Sequence, residues 1–401
     1  TFSYSSIGGL NQLTRNVDFT LPFETGSFGV SSLAGSNNYD FRSGDQRVGH
    51  RFSLGAANRN YTLRGMYTFN SGFNKKGWAF SANVTYRWAD RGYVEGTYYN
   101  SLSYFFGFEK LLGRNHSLSF STWGNPTERS SQGAATDESF WLANDYQYNP
   151  YWGYQNGKKR NSRVVNDYAP SALLTWDWKI TEKMKLTTTL LGKYSIYKST
   201  KLNYNNSDNP APDYWKSLPS TFYDVWNTGN TALQTDAAYQ DWQRAVDYFK
   251  YSKENRQIQW DRLYWANRNA NSLGRDAMYY VEARHNNNLY LTLASTLSVV
   301  QTKNSNWNAG FVLTTNKGMH YKTMDDLLGA EYFHNINTYA VGNYSPSSDW
   351  VQYDLNHPNA TVGEGDMFGY NYNIYTHKAY AWANYSSTFG RFHFTLNGKI
   401  G

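Results

Sequence analysis

In the stretch from Gly77 to Trp88, GWAFSANVTYRW, Trp78, Phe80, Ala82, Val84, Tyr86 and Trp88 share one parity. Ala79, Ser81, Asn83, Thr85 and Arg87 share the other. Such period-two alternation predicts a β-strand with one apolar and one polar face. The pattern recurs: Ala172, Leu174, Trp176, Trp178 and Ile180 oppose Ser171, Thr175, Asp177 and Lys179, and Leu289 to Val299 oppose Tyr290 to Ser298. Counting these runs with those near 47–56, 60–70, 98–110, 115–124, 184–196, 306–316, 376–388 and 392–400 gives about eleven strands. They are longer than the usual five or six residues.

From the second strand onward, the connections run short and long in turn. Short ones fall near SGFNKKG (71–77), LLGRN (111–115), TEK (181–183), TKNS (302–305) and FGR (389–391). Between them lie ADRGYVEGT (89–97) and three far longer segments at 125–168, 198–285 and 317–375. In an up-and-down meander all short turns then lie at one end and all long loops at the other, as in outer-membrane barrels. The expected fold class is therefore all-β, a transmembrane antiparallel up-and-down β-barrel, here partial. Its apolar parity faces lipid and its Ser/Thr/Asn/Lys parity a wet lumen. A soluble sandwich would have to carry long structureless loops on one side only, which compact domains rarely do. Within 235–269, Tyr239, Trp242, Val246 and Phe249 recur at helical spacing behind Thr235 and Asp236, predicting a short loop helix.

Composition narrows the reading. Mean hydropathy is -0.72 and 40% of residues are hydrophobic, low for a soluble chain of 401 residues. Yet 18% are aromatic, which argues against disorder. A barrel accounts for both, since only one strand residue in two meets hydrocarbon. No run of eighteen apolar residues predicts a membrane helix, and the absence of cysteine excludes thiolate metal sites. The net charge of +7 is scattered, its longest basic run being Lys158 to Arg160, so no nucleic-acid partner is expected.

Catalytic constellations are missing: the eight histidines form no HExxH motif, and no GxSxG or phosphate loop follows a strand. No enzyme activity, cofactor or metal is therefore expected. His320 with Asp325 and Asp326, and GEGDMFG at 363–369, are the nearest approaches to a cation site. What remains is binding chemistry in aromatic and amide clusters at 145–157, 212–226 and 369–375. From these loops, and from HYKTMDD, the ligand candidates are Trp152, Tyr154, Tyr214, Trp215 and Tyr321. Flat rings beside amides suit sugars, peptides or siderophores, and equally suit loop packing.

The segments GWAFSANVTYRWADRGYVEGTYY, NPYWGYQNGKKRNSRVV, PDYWKSLPS, QIQWDRLYWANRN, HYKTMDDLLGAEY and GDMFGYNYNIY resemble the TonB-dependent outer-membrane receptors of Bacteroidetes, of SusC/RagA-like or related type. The resemblance implies a 22-stranded barrel filled by an N-terminal plug. Import would be driven by the TonB–ExbB–ExbD complex through a Ton box outside this sequence. It also implies a Gram-negative outer-membrane location in contact with lipid and lipopolysaccharide, and leaves room for a surface lipoprotein partner. Residues 1–46, with SSIGGLNQLTRN and SLAGSNNYDFRSGDQRVG, resemble the C-terminal tail of a plug. Residues 47–401 would be the N-terminal half of the barrel, and the sequence is expected to be part of a longer protein. A passive outer-membrane channel or adhesin on the same barrel, and a soluble secreted β-protein, are the alternatives.

Trp78 and Trp88 lie ten residues apart on the lipid-facing parity. At about 3.3 Å per residue and a tilt of about 40°, that is about 25 Å along the membrane normal, the height of the apolar band between aromatic girdles. The two tryptophans are therefore expected to mark the two membrane interfaces.

Overall fold

The computed structural model describes residues 7–14, 17–22, 24–30, 34–227 and 229–401. Thirteen strand segments form one antiparallel sheet, and they read as eleven consecutive spans. These are β1 (Gly49–Ala56), β2 (Leu63–Asn70), β3 (Trp78–Ala89) and β4 (Tyr99–Leu112), then β5 (His116–Gly124, continued by Thr127–Ser130) and β6 (Val164–Tyr168, continued by Ser171–Thr181). β7 (Met184–Tyr204), β8 (Tyr279–Thr302), β9 (Ser305–Asp326), β10 (Met367–Phe389) and β11 (Phe392–Ile400) complete it. Each span pairs with the next in the chain, as the alternating loops require.

The breaks in β5 and β6 contain Pro126 and Pro170, which bring no N–H to the ladder. Their carbonyls still accept from Leu102 N at 3.1 Å and Tyr194 N at 3.0 Å, so the sheet stays continuous across both.

The two parities separate as expected. On β3, Phe80, Val84, Tyr86 and Trp88 are exposed, while Ala79, Ser81, Asn83 and Thr85 are buried. The inner wall is not uniformly wet, however. Ile7, Leu10, Leu13 and Phe41 of the N-terminal segment pack on Phe105 and Trp123, two aromatics on the inward parity. The same segment is pinned by Arg42, which donates to Asp177 at 2.6 and 3.1 Å, and by Gly44 N, which donates to Glu109 Oε2 at 2.8 Å. Farther round the wall, Asn384 Nδ2 donates to Gly26 O at 2.8 Å. Part of the expected plug tail, residues 1–6, 15–16, 23 and 31–33, lies outside the described residues.

Four spans outrun expectation. β7 continues to Tyr204, β8 begins at Tyr279, β9 runs to Asp326 and β10 begins at Met367, so much of the expected loop sequence is a tall extension of the wall. Among the described residues the loops above carry four α-helices: α1 (Asp137–Ala143), α2 (Pro219–Trp226), α3 (Asp236–Tyr251) and α4 (Trp260–Ser272). α3 is the helix read from the sequence, with Thr235 Oγ1 capping Ala238 N at 3.2 Å. No helix of the described residues is long and apolar enough to cross a membrane. β1 and β11 each keep one edge without a strand partner among the described residues.

Candidate binding site at the outer mouth of the wall

Above the N-terminal segment the inner wall opens into a cavity of about 1070 Å³. Its floor is the inward parity of β3 to β6, and its rim is the β1–β2 and β3–β4 loops, so it opens at the long-loop end. Arg87 comes from the polar parity of β3. It donates to Ser101 Oγ and Ser103 Oγ, each at 3.3 Å, and its guanidinium lies 5.6 Å from the centre of the Tyr99 ring. Ser101 in turn bonds Thr127 Oγ1 at 2.8 Å, tying the floor across the Pro126 break. Arg59, Arg129 and Asp167 complete the charged lining, with Tyr93 and Tyr98 at the rim. Three guanidinium groups against one carboxylate, beside tyrosine rings, make a surface for anionic groups and for the faces of rings.

The long loops form a packed cap beside this mouth. Leu142, Tyr148, Leu218 and Phe249 share one core drawn from the loops after β5 and after β7. Asn161 Nδ2 donates to Gly96 O at 2.9 Å and Ser131 O at 3.0 Å. Arg160 donates to Asp326 Oδ2 at 2.7 Å and lies over the Trp260 ring at 4.3 Å. Asn267, wholly buried in α4, donates to Tyr279 O and Leu327 O and accepts from Met278 N and Tyr279 N, at 2.7 to 3.1 Å. Burial pushes the Asp213 carboxyl up to about 6, and burial with that nearby carboxylate pushes the Tyr148 phenol up.

The five aromatic candidates do not converge. Trp152 is only 2% exposed, closed off in the cap against Tyr154 at 5.5 Å with Lys159 and Lys253 near its ring. Its ring fills the space above Gly96, where a Cβ would lie 2.1 Å from it. Tyr321 sits on the outward parity of β9, stacked on His285 at 4.4 Å and 3°. Tyr154 and Trp215 present exposed rings, and Tyr214 packs edge-on against Trp215 at 6.0 Å. The imagined cation site disperses as well. His320 stacks on Tyr372 at 5.1 Å, Asp325 pairs with Lys198, and Asp326 holds Arg160. Among the described residues no group of three or more His, Asp or Glu is placed to hold a metal ion.

Sequence reasoning missed Arg129 and Asp167 as lining. Alternation alone places them on a face, but only the register across β4, β5 and β6 brings them beside Arg87.

No family model matches the sequence, and no curated protein matches it. Solved structures do. The ferric-catecholate import receptor Fiu from E. coli K12, in its open form, is 14% identical with a TM-score of 0.52, over 96% of this chain and 48% of that one. The ferric citrate transporter FecA in its unliganded form is 8% identical with a TM-score of 0.52, over 96% and 42%. The FpvAI–pyocin S2 complex is 12% identical with a TM-score of 0.51, over 92% and 39%. The fold is thus that of the barrel wall of TonB-dependent outer-membrane receptors, and the chain spans less than half the length of these structures.

Proposed function

We propose that this chain is the wall and plug tail of a TonB-dependent importer of a scarce nutrient in the outer membrane of a Gram-negative bacterium. In this reading residues 1–46 end the plug and residues 47–401 form the first half of the barrel. Strands outside this chain cover the open edges of β1 and β11, since hydrocarbon leaves unpaired backbone groups unsatisfied. TonB–ExbB–ExbD supplies the energy through a Ton box outside this sequence. The quoted motifs support a SusC/RagA-like receptor of Bacteroidetes, which leaves a place for a surface lipoprotein beside the cap. The protein is a transporter and not an enzyme.

The observation that carries the reading is the inner wall itself. Phe105 and Trp123 point inward and are buried by Ile7, Leu10, Leu13 and Phe41, whereas an open channel keeps its wall polar and hydrated. Exposed Tyr154 and Trp215 on the cap serve as first ligand contacts, and Trp78 and Trp88, both on the outward face of β3, mark the two membrane interfaces. Uptake by the full-length receptor in strains with and without TonB tests the proposal. Uptake lost with TonB, and negligible single-channel conductance in planar bilayers, are the expected results. TonB-independent uptake with steady conductance would establish the passive channel instead.

A further inference from the structure

The charges of the cavity do not stop at its rim. Gly55, Arg64, Arg87, Ser101, Thr127, Asp167 and Tyr197 are successive register partners from β1 to β7. One step farther out, Tyr99, Arg129, Val165, Ser199, Arg284, Lys322 and Phe368 are successive partners from β4 to β10. Register partners lie side by side on one face of a sheet, and both rows belong to the inward parity that carries Phe105 and Trp123. Lys201, paired with Glu282, lies just above.

We infer that the receptor binds an elongated polyanion along this belt. Arg64, Arg87, Arg129, Lys201, Arg284 and Lys322 stand against two carboxylates in the same band, Asp167 and Glu282. Glu282 is itself occupied, accepting from Arg284 at 2.8 Å and from Lys322 at 3.0 Å, and is wholly buried. Arg129, Lys201 and Arg284 are exposed to the lumen. Lys322 is buried on Glu282, so the open belt runs from β2 to β8 across six strand spacings of about 4.8 Å, roughly 29 Å of wall.

That length selects the ligand class. A compact chelate with two or three carboxylates is satisfied by one cluster of guanidinium groups. A ladder of cations round half a barrel is matched only by a ligand whose negative groups repeat. One ring stands among the cations: Tyr99 lies under Arg87 at 5.6 Å, while Phe368, under Lys322, is buried among Tyr280, Met324 and Phe333. Spaced cations with the Tyr99 ring among them fit a sulfated or carboxylated oligosaccharide, whose sugar rings separate its anionic groups.

This inference rests on the importer reading, and the test keeps the two apart. The probes are a sulfated dextran oligosaccharide, an unsulfated dextran of the same length, and citrate, each titrated into the full-length receptor in detergent. The expected result is binding of the sulfated oligosaccharide alone, weakening at least tenfold between 50 and 200 mM salt, as release of several counterions requires. The pair Arg129→Gln and Arg284→Gln should each cost about threefold to tenfold, consistent with the loss of one charge-assisted contact. Tyr251→Ser, in an exposed cap position, should cost nothing and controls for folding. Equal binding of the neutral dextran, tighter binding of citrate, or no loss in the arginine variants overturns the belt. TonB-dependent uptake of a neutral ligand would do so while leaving the importer reading intact.

Discussion

Replacing Asp177 by Asn should loosen the N-terminal segment from the wall without unfolding the sheet. Asp177 takes a two-pronged hydrogen bond from Arg42, a hydrogen bond from Thr187 Oγ1 at 2.6 Å and an ion pair with Lys185 at 3.0 Å. The Arg42 and Asp177 side chains are 16% and 9% exposed. Removing one partner of a buried pair costs about 3–5 kcal/mol, because the other charge is left without compensation. Asp40 at 3.0 Å recovers part of that for Arg42, so about 2–3 kcal/mol is expected. At 1.36 kcal/mol per decade this is on the order of a hundredfold in the local opening equilibrium.

Amide hydrogen exchange of residues 40–46 in the full-length protein reads that equilibrium directly. In Asp177→Asn the protection of these amides should fall by that factor, while the β6–β7 ladder exchanges as before. Lys185→Met is the control, since Lys185 is half exposed and an exposed partner contributes about 0–1 kcal/mol. Unchanged protection in Asp177→Asn, or an equal loss in Lys185→Met, would refute the claim that the Arg42 contact holds the segment. The apolar contacts of Phe41 with Phe105 and Trp123, at 5.7 and 5.0 Å, would then be doing so alone.

Three further outcomes are expected. Asn267→Leu strands two backbone N–H groups and two carbonyls in a buried site, costing about 3 kcal/mol or more; proteolysis should then cut near α4 first. Gly153→Ala places a Cβ 1.9 Å from the backbone oxygen of Ile258, and because backbone cannot swing aside, the loss should be about 1–3 kcal/mol, seen as faster exchange in the hairpin at 152–161. The folded-state pKa of Asp213, about 6, lies above its ordinary value, so its protonated form favours the cap. Cap stability should be greatest below about pH 4 and fall as pH rises through 6, by at most about 3 kcal/mol; Asp213→Asn should flatten that slope in pH-dependent exchange of residues 205–218.

The spans that cross the membrane were legible because they meet two different solvents. Trp176 and Trp178 are outward and Asp177 inward because lipid lies on one side and the N-terminal segment on the other. The sorted turns then set the topology, since Gly113 to Asn115 and Thr181 to Lys183 are too short to do anything but reverse the chain. Thr235 before a helical stripe was legible for the same local reason. The mouth cavity was not. Arg64, Arg87, Arg129 and Arg284 are isolated cations in the sequence, and only register across seven strands sets them in one band. The cap core was hidden too, since Phe249 meets Tyr148 from a different loop, edge-on at 5.9 Å.

The ends of β7 to β9 show how a strand becomes illegible. Leu202 and Val281 continue the outward parity of Leu190 and Leu291 above the membrane, as direct register partners. There lipid is replaced by the loop core of Ile258, Trp260, Leu263 and Leu328, which covers both. On the inward parity, Tyr280 and Met324 are buried in turn by Leu327, Phe333 and Val362 of the following loop. With both faces covered, either parity tolerates apolar side chains, and the alternation that announced the strand below disappears. The backbone ladder still continues, because buried N–H and C=O groups must be paired whatever the side chains do. The wall therefore stands taller than its hydrophobic pattern, and the buried Asn267 network, which bonds the backbone of both β8 and the loop after β9, fixes α4 against that added height. The same extension carries Arg284 and Lys322 above the level at which the hydrophobic pattern of β8 and β9 ends.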